Sequence, residues 1–199
     1  APGLSQRPVS QIHLYNLNDS SMIIRKLFKF EGAHIVRNCS SRHCRENMHG
    51  HSYIVEVFIT SDRLDNGYMV MDFGLLDKVK AFIESFDHTY TLWTQEEPDF
   101  KHFIYRYNKR VAEIPVSPSA EGFALLFLYI INRILENTTF RNGEGHVQLS
   151  SVRVHETATG YAEAFREDLK LAEFTPADVL FSPAIQEEWK SDEWWKKIR

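Results

Sequence analysis

Cysteine is scarce in this sequence, with only Cys39 and Cys44 among 199 residues. Two cysteines are too few for a secreted scaffold held together by disulfides. No apolar run is long enough to span a membrane, and the longest, around 123–131, has a helical pattern. A secretory signal with a charged start and an apolar centre is also lacking. We therefore expect a cytoplasmic protein that has no membrane partner.

Charge of one sign is scarce as well, because the formal net charge is only −4. The sequence also has no compact cluster of Lys and Arg that would form a positive patch, which argues against a nucleic-acid partner. Hydrophobic residues make up 43% and charged residues 25%, as in ordinary globular domains. We expect an N-terminal extension over 1–20, one domain over 21–170 and a C-terminal tail over 171–199 that carries three of the four tryptophans.

Hydrophobic patterning predicts the order of the elements. The predicted strands cover 22–30, 49–61, 146–155 and 160–165, and the predicted helices cover 75–86 and 118–136. This order indicates an α+β fold, an antiparallel four-stranded sheet with two helices on one face. Residues 87–117 look irregular and are long for a connection, so we predict a loop insertion there.

Histidines cluster around the start of the second predicted strand. Residues 44–51 read Cys-Arg-Glu-Asn-Met-His-Gly-His. His49 and His51 point to the same face because side chains alternate along a strand. His34 follows the preceding strand and can join them across an antiparallel pair. Three imidazoles leave a zinc ion with a position open for substrate, whereas ordinary strand histidines or a closed structural site that includes Cys44 are the alternatives.

Several short motifs, taken in order, resemble the 6-pyruvoyl-tetrahydropterin synthase and 6-carboxy-tetrahydropterin synthase family. They are Phe30-Glu31-Gly32-Ala33-His34, the cysteine segment leading into His49-Gly50-His51-Ser52-Tyr53, Met71-Asp72-Phe73, Asp87-His88, Pro118-Ser119-Ala120-Glu121 and His155-Glu156-Thr157. The resemblance covers about 22–166. It implies T-fold (tunnelling fold) subunits that assemble into a barrel as trimers or as hexamers of two stacked trimers. It also implies Zn²⁺ as cofactor and 7,8-dihydroneopterin triphosphate as substrate, bound near a subunit interface.

The resemblance makes Cys44 the candidate catalytic base. A thiol near a cationic metal can lose its proton readily and then accept one from carbon. Polar neighbours favour a reactive thiol over a small buried apolar residue. Cys39 ranks second because its spacing to His49 is longer than the family usually shows. Asp87 and His88 match the pair that orients and relays a proton in the family, although Asp-His after a helix can also be ordinary loop polarity.

Glu156 matches the residue that anchors the pterin ring in the family. A carboxylate can accept two parallel hydrogen bonds from the 2-amino group and N3–H of a pterin. The alternative is a strand glutamate facing solvent. Ser119 and Ala120, at a helix start, match substrate contacts in the family, and a simple helix cap by Ser119 is equally compatible.

The cysteine spacing departs from both main branches of the family. The cysteine lies four residues before the first histidine in carboxy-forming members and six before it in pyruvoyl-forming members, whereas Cys44 lies five before His49. Glu46 lies three before His49, as in a folate-related branch that uses a glutamate in place of the cysteine and forms 6-hydroxymethyl-7,8-dihydropterin. Carrying both residues resembles a dual-type subgroup, although Glu46 can also be a solvated loop residue.

The expected activity is that of a zinc-dependent lyase. The product is 6-carboxy-5,6,7,8-tetrahydropterin or 6-hydroxymethyl-7,8-dihydropterin, which would supply queuosine and other 7-deazapurines or folate. The alternatives are a 6-pyruvoyl-tetrahydropterin synthase, which keeps the side-chain carbons, and a non-catalytic T-fold protein that binds zinc or pterin.

Overall fold

A computed structural model describes residues 22–199 as one mixed sheet with helices packed on it. The strands are β1 (Met22–His34), β2 (His49–Ser61), β3 (Thr89–Trp93), β4 (Val111–Ile114), β5 (Gln148–Thr157), β6 (Gly160–Phe165) and β7 (Leu180–Phe181). The α-helices are α1 (Arg42–Glu46), α2 (Asp77–Glu84), α3 (Pro98–Tyr107), α4 (Ala120–Glu136), α5 (Pro183–Gln186) and α6 (Glu193–Ile198). Three 3₁₀ helices cover Phe73–Leu76, Arg166–Leu171 and Pro176–Asp178. The predicted N-terminal extension lies outside the described residues.

The predicted four-stranded antiparallel sheet forms one part of the observed sheet. The strand order is β6-β5-β2-β1-β3-β4-β7, in which β6, β5, β2 and β1 pair antiparallel. The prediction of four strands is wrong, however, because over residues 22–199 the sheet has seven strands and is mixed. β3 pairs parallel to β1 and to β4, and β7 adds an antiparallel edge.

The prediction of an irregular segment over 87–117 is also wrong, because this segment contains β3, α3 and β4. Its two strands have only five and four residues, and most of their side chains are buried. Short strands buried on both faces show no alternation of apolar and polar residues, so their sequence lacks the signal of a half-buried strand.

The main core lies between the sheet and helices α2 and α4. The α+β prediction with these two helices on one face is confirmed. Phe30 and Tyr53 are directly opposite each other on β1 and β2, and their rings stack with centroids 4.6 Å apart. Phe123 of α4 packs edge-on against both rings. These aromatic contacts fix α4 above the ends of β1 and β2, where the histidines lie.

The C-terminal tail packs into the same core. Trp194 and Trp195 are buried, and the Trp195 ring stacks on Phe82 of α2 with centroids 5.7 Å apart. Trp189 packs on this cluster and donates a hydrogen bond from its indole nitrogen to Ser85. The tail therefore covers apolar surface of its own chain. Across residues 22–199, no helix combines the length and the apolar character needed to cross a membrane.

Candidate functional site

Three imidazoles converge where β1 ends and β2 begins. The antiparallel register places His34 opposite His49 and Gly32 opposite His51, so all three side chains lie on the face covered by α4. One nitrogen from each of these residues lies within 4.8 Å of the other two. The Nε2 atoms of His34 and His49 are 3.1 Å apart. The structure thus brings together the three histidines that the sequence predicts as metal ligands.

Backbone carbonyls hold two of these rings in a defined orientation. Nδ1 of His34 donates to the carbonyl oxygen of Pro118 at 2.5 Å, and Nδ1 of His49 donates to that of Asn47 at 3.0 Å. With Nδ1 as the donor, Nε2 is left as the unprotonated atom that faces the other imidazoles. Partners of this kind fix the tautomer of metal-binding histidines.

The electrostatics also suit a cation. The pKa of His34 is lowered to about 4, chiefly by burial and also by the neighbouring imidazoles, against the opposing effect of the Pro118 carbonyl. Burial likewise lowers the pKa of His51. At neutral pH His34 is therefore neutral, which is the form that binds a metal. The donor set fits a metal ion that prefers imidazole nitrogen.

The Pro118 carbonyl reaches His34 because the chain makes a close turn before α4. A Cβ atom on Gly122 would stand only 1.9 Å from the carbonyl oxygen of Ser117, so a side chain there would force the turn apart. Ser119 caps α4, and its Oγ accepts a hydrogen bond from the Gly122 amide at 3.1 Å. Ser119 therefore acts here as a cap, and Ala120 is the first residue of the helix. The sequence does not reveal this role of Pro118, because every residue has a backbone carbonyl and any residue type could accept the hydrogen bond from His34.

Glu156 lies beside the imidazoles. Every second residue of β5 lies on one face, which carries Val152, Val154 and Glu156. The register between β5 and β6 breaks between His155 and Thr157. The half-buried Glu156 carboxylate stands 3.6 Å from Nε2 of His34 and 3.7 Å from Nε2 of His51. Glu156 is thus directed into the site.

Tyr53 forms the floor under this group. Its hydroxyl lies 3.2 Å from Nδ1 of His34, and its side chain is buried. Burial raises the pKa of Tyr53, and the charge of Glu156 raises it further. Tyr53 therefore remains a neutral phenol at physiological pH, which makes it a hydrogen-bonding group and not a charged one.

The two candidate bases lie on the short helix α1. Cys44 is half-buried, and its thiol is outside the group of three imidazoles. The carboxylate of Glu46 is exposed and accepts hydrogen bonds from Arg42 at 2.8 Å and Arg45 at 3.3 Å. The hydrogen bond from Arg42 is the main reason that the pKa of Glu46 is lowered. Cys39, the second-ranked cysteine, donates its thiol to the carbonyl of Ser41.

Asp87 and His88 form a pair that is tied to β1. Nδ1 of His88 lies 2.8 Å from Oδ2 of Asp87, whose other oxygen accepts from the Glu31 amide at 2.8 Å. Burial alone would raise the pKa of Asp87, but the Glu31 amide and His88 outweigh it and lower that pKa. His88 has a φ of 54°, a left-handed conformation that is uncommon outside glycine. In residues 22–199 no hydrogen bond or ion pair links this pair to Cys44.

Solved structures show which class of fold this is. A crystal structure of an uncharacterized protein from Wolinella succinogenes matches with a TM-score of 0.60 and 23% identity, over 73% of this chain and 98% of that one. The 6-pyruvoyl tetrahydropterin synthase of Plasmodium vivax matches with a TM-score of 0.52 and 22% identity, again over 73% and 98% of the two chains. The fold is therefore that of the pterin synthases, the T-fold.

Sequence comparison then gives the family. The family model described as 6-pyruvoyl tetrahydropterin synthase matches residues 23–167. A Helicobacter pylori protein named 6-carboxy-5,6,7,8-tetrahydropterin synthase is 46% identical over 89% of this chain and 91% of its own length. An Aquifex aeolicus protein of the same name is 31% identical, over 70% and 95%. The chain belongs to the 6-pyruvoyl tetrahydropterin synthase family.

Proposed function

We propose that this chain converts 7,8-dihydroneopterin triphosphate to 6-carboxy-5,6,7,8-tetrahydropterin with the help of Zn²⁺. The observation that carries the proposal is the convergence of His34, His49 and His51 beside the Glu156 carboxylate. The identity of 46% to a protein named for this product supports the choice of product.

The three histidines would hold the metal through Nε2. A zinc ion bound there supplies a Lewis acid that polarises hydroxyls of the substrate side chain and lowers the cost of removing their protons. The protein contributes neutral ligands, because His34 is buried and has a low pKa. Pro118 and Asn47 keep two of the rings aimed at the same point.

Glu156 would bind the pterin ring. Its carboxylate can accept hydrogen bonds from the ring N3–H and the 2-amino group, a paired arrangement that favours this heterocycle. Because Glu156 stands within 3.7 Å of two of the imidazoles, a ring held by it lies next to the histidines. Ser119 and Ala120 at the start of α4 would add contacts to the substrate.

Cys44 would accept the proton from substrate carbon. Among residues 22–199 its half-buried thiol makes no hydrogen bond, whereas the Glu46 carboxylate is held by Arg42 and Arg45. This difference favours Cys44 as the base and the 6-carboxy product over the 6-hydroxymethyl product. A carboxylate occupied by two guanidinium groups is a weaker base than a free one.

Asp87 and His88 would relay a proton, with Asp87 fixing the orientation of the imidazole. Because the pair matches the one that works beside the cysteine in the family, we propose that it acts at the Cys44 of a neighbouring subunit. The assembly would be a trimer or a hexamer.

Product analysis tests this proposal. Zinc-loaded protein is incubated with 7,8-dihydroneopterin triphosphate, and the products are separated and identified by mass. We expect the 6-carboxy product, its loss in Cys44→Ala, and its retention in the matched control Cys39→Ala. The 6-pyruvoyl or 6-hydroxymethyl product would contradict the assigned reaction, and absence of turnover would leave a non-catalytic binding protein.

A further inference from the structure

The loop that carries Cys44 is held by a second small core outside the main one. This core contains Ile35, Tyr90, Leu92, Ile104 and Val111, with Ala33 and Phe100 packed against it. It is built by the β3–α3–β4 segment, which joins the sheet by pairing Thr89–Thr91 with Gly32–His34. The segment therefore attaches to β1 at the residues that lead into the Cys44 loop.

Arg37 and Glu96 form the polar connection between this segment and the loop. Nε of Arg37 donates to both carboxylate oxygens of Glu96, at 2.9 and 3.1 Å. The Glu96 side chain is only 5% exposed, and the guanidinium carbon of Arg37 lies 5.1 Å from the centre of the Phe100 ring. The Glu96 carboxylate is buried whereas the Arg37 side chain is 31% exposed, so the ion pair is partly buried, and removing Arg37 leaves a buried carboxylate without its charged partner.

The same arginine reaches the Cys44 loop directly. Nη1 of Arg37 donates to the carbonyl of Arg45 at 3.2 Å, and Nη1 of Arg45 donates to the carbonyl of Cys39 at 3.0 Å. The Val36 amide donates to the carbonyl of Cys44 itself at 3.0 Å. The backbone on both sides of Cys44 is thus connected through Arg37 to Glu96.

We propose that Arg37 and Glu96 are positioning residues that hold the Cys44 thiol in place relative to the three histidines through the β3–α3–β4 segment. The proposal rests on the proposed function only in making Cys44 the base. Its physical reason is that a proton acceptor works only at a defined distance from its target, so a misplacement of about 1 Å can cost roughly 100-fold in rate.

The chain offers a matched control within the same segment. Glu113 is a buried carboxylate that accepts from Lys101 at 2.6 Å and from the Tyr105 hydroxyl at 2.8 Å. Its side-chain partners both lie on α3 and not in the Cys44 loop. Glu113→Gln therefore perturbs the segment without cutting the connection to Cys44.

The test measures Cys44 in a Cys39→Ser background, where Cys44 is the single thiol. The rate of iodoacetamide labelling, followed by mass, reports the position and exposure of the thiol without any substrate. We expect Glu96→Gln and Arg37→Lys to raise this rate by about 5-fold or more, because the loosened loop uncovers a half-buried thiol. Glu113→Gln should leave the rate within about 2-fold of the parent.

Steady-state kinetics supply the second readout. We expect kcat of Glu96→Gln to fall by about 10- to 100-fold with KM and zinc affinity nearly unchanged. Equal effects of Glu96→Gln and Glu113→Gln on labelling, or no effect of either, would overturn the proposal. If the parent protein lacks turnover, the proposed function fails while labelling still decides the positioning role. Arg37→Lys, which keeps the charge, gives the labelling result if Glu96→Gln does not fold.

Discussion

Gly122→Ala is the sharpest perturbation of the candidate metal site that touches no ligand. The added Cβ would stand 1.9 Å from the Ser117 carbonyl oxygen, so helix α4 and the preceding turn must separate by roughly 1–2 Å to reach a normal contact. The Pro118 carbonyl belongs to this turn and now lies 2.5 Å from Nδ1 of His34. A displacement of that size breaks the hydrogen bond that orients the His34 ring.

Loss of such a partner typically lowers metal affinity by about 10- to 100-fold, which corresponds to roughly 1.4–2.7 kcal/mol. We expect this loss for Gly122→Ala in a competition titration of zinc against a chromophoric chelator. Thermal unfolding of the metal-free protein is a second measurement, which reports how the substitution changes stability. Alanine stabilises a helix by about 1 kcal/mol over glycine, and the clash with Ser117 opposes this gain.

Gly74→Ala is the matched control for this substitution. Among the described residues, its Cβ would meet within 4 Å only side-chain atoms of Asp72, the nearest at 3.3 Å, and that side chain can move. We expect unchanged zinc affinity for the control. Zinc binding by folded Gly122→Ala with parental affinity would refute the view that the Pro118 carbonyl keeps His34 in its binding orientation.

Three further predictions concern Glu156, Glu56 and Trp195. Glu156→Gln should weaken binding of a pterin by about 10-fold or more, because one hydrogen-bond acceptor becomes a donor. Pterin binding is measured by fluorescence quenching, and the zinc stoichiometry should stay the same. Equal pterin affinity in the variant would show that Glu156 is not the anchor. Burial alone would raise the pKa of Glu56, but hydrogen bonds from His155 and Arg25 outweigh this effect, so the pKa in the folded protein is lowered. The ionised Glu56 carboxylate therefore contributes fully to the free energy of unfolding above about pH 4.3. That contribution is lost as the pH falls through the lower folded-state pKa. Glu56→Gln should therefore flatten the acid side of the unfolding free energy against pH, and an unchanged acid slope would contradict this. Trp195→Ala should lower the free energy of unfolding in urea by about 3–5 kcal/mol, since the ring is 4% exposed and stacked in the core. A change below about 1 kcal/mol would show that the tail is not part of the folded core.

The histidine cluster was predictable because strand geometry converts spacing into position. Alternation places His49 and His51 on one face, and an antiparallel register needs only one further residue, His34, at the adjacent strand end. Glu156 followed from the family motif. Its position beside the imidazoles agrees with alternation along β5, which puts Glu156 on the same face as Val152 and Val154.

The β3–α3–β4 segment could not be predicted in the same way. Its strands are short and largely buried, so the alternation that marks a half-buried strand is missing. Parallel pairing of Thr89–Thr91 with Gly32–His34 joins residues far apart in sequence. The carbonyl of Pro118 and the connection from Arg37 to Glu96 were hidden for a related reason, because they depend on tertiary approach and not on a local pattern.

Zinc content per chain tests the central claim most directly. Purified protein is dialysed against buffered zinc and then against metal-free buffer, and the metal is measured by inductively coupled plasma mass spectrometry. The convergence of His34, His49 and His51 predicts about one zinc per chain, as expected for a three-imidazole site, and its loss in His49→Ala. A content well below one in the parent protein, or full retention without His49, would contradict the account.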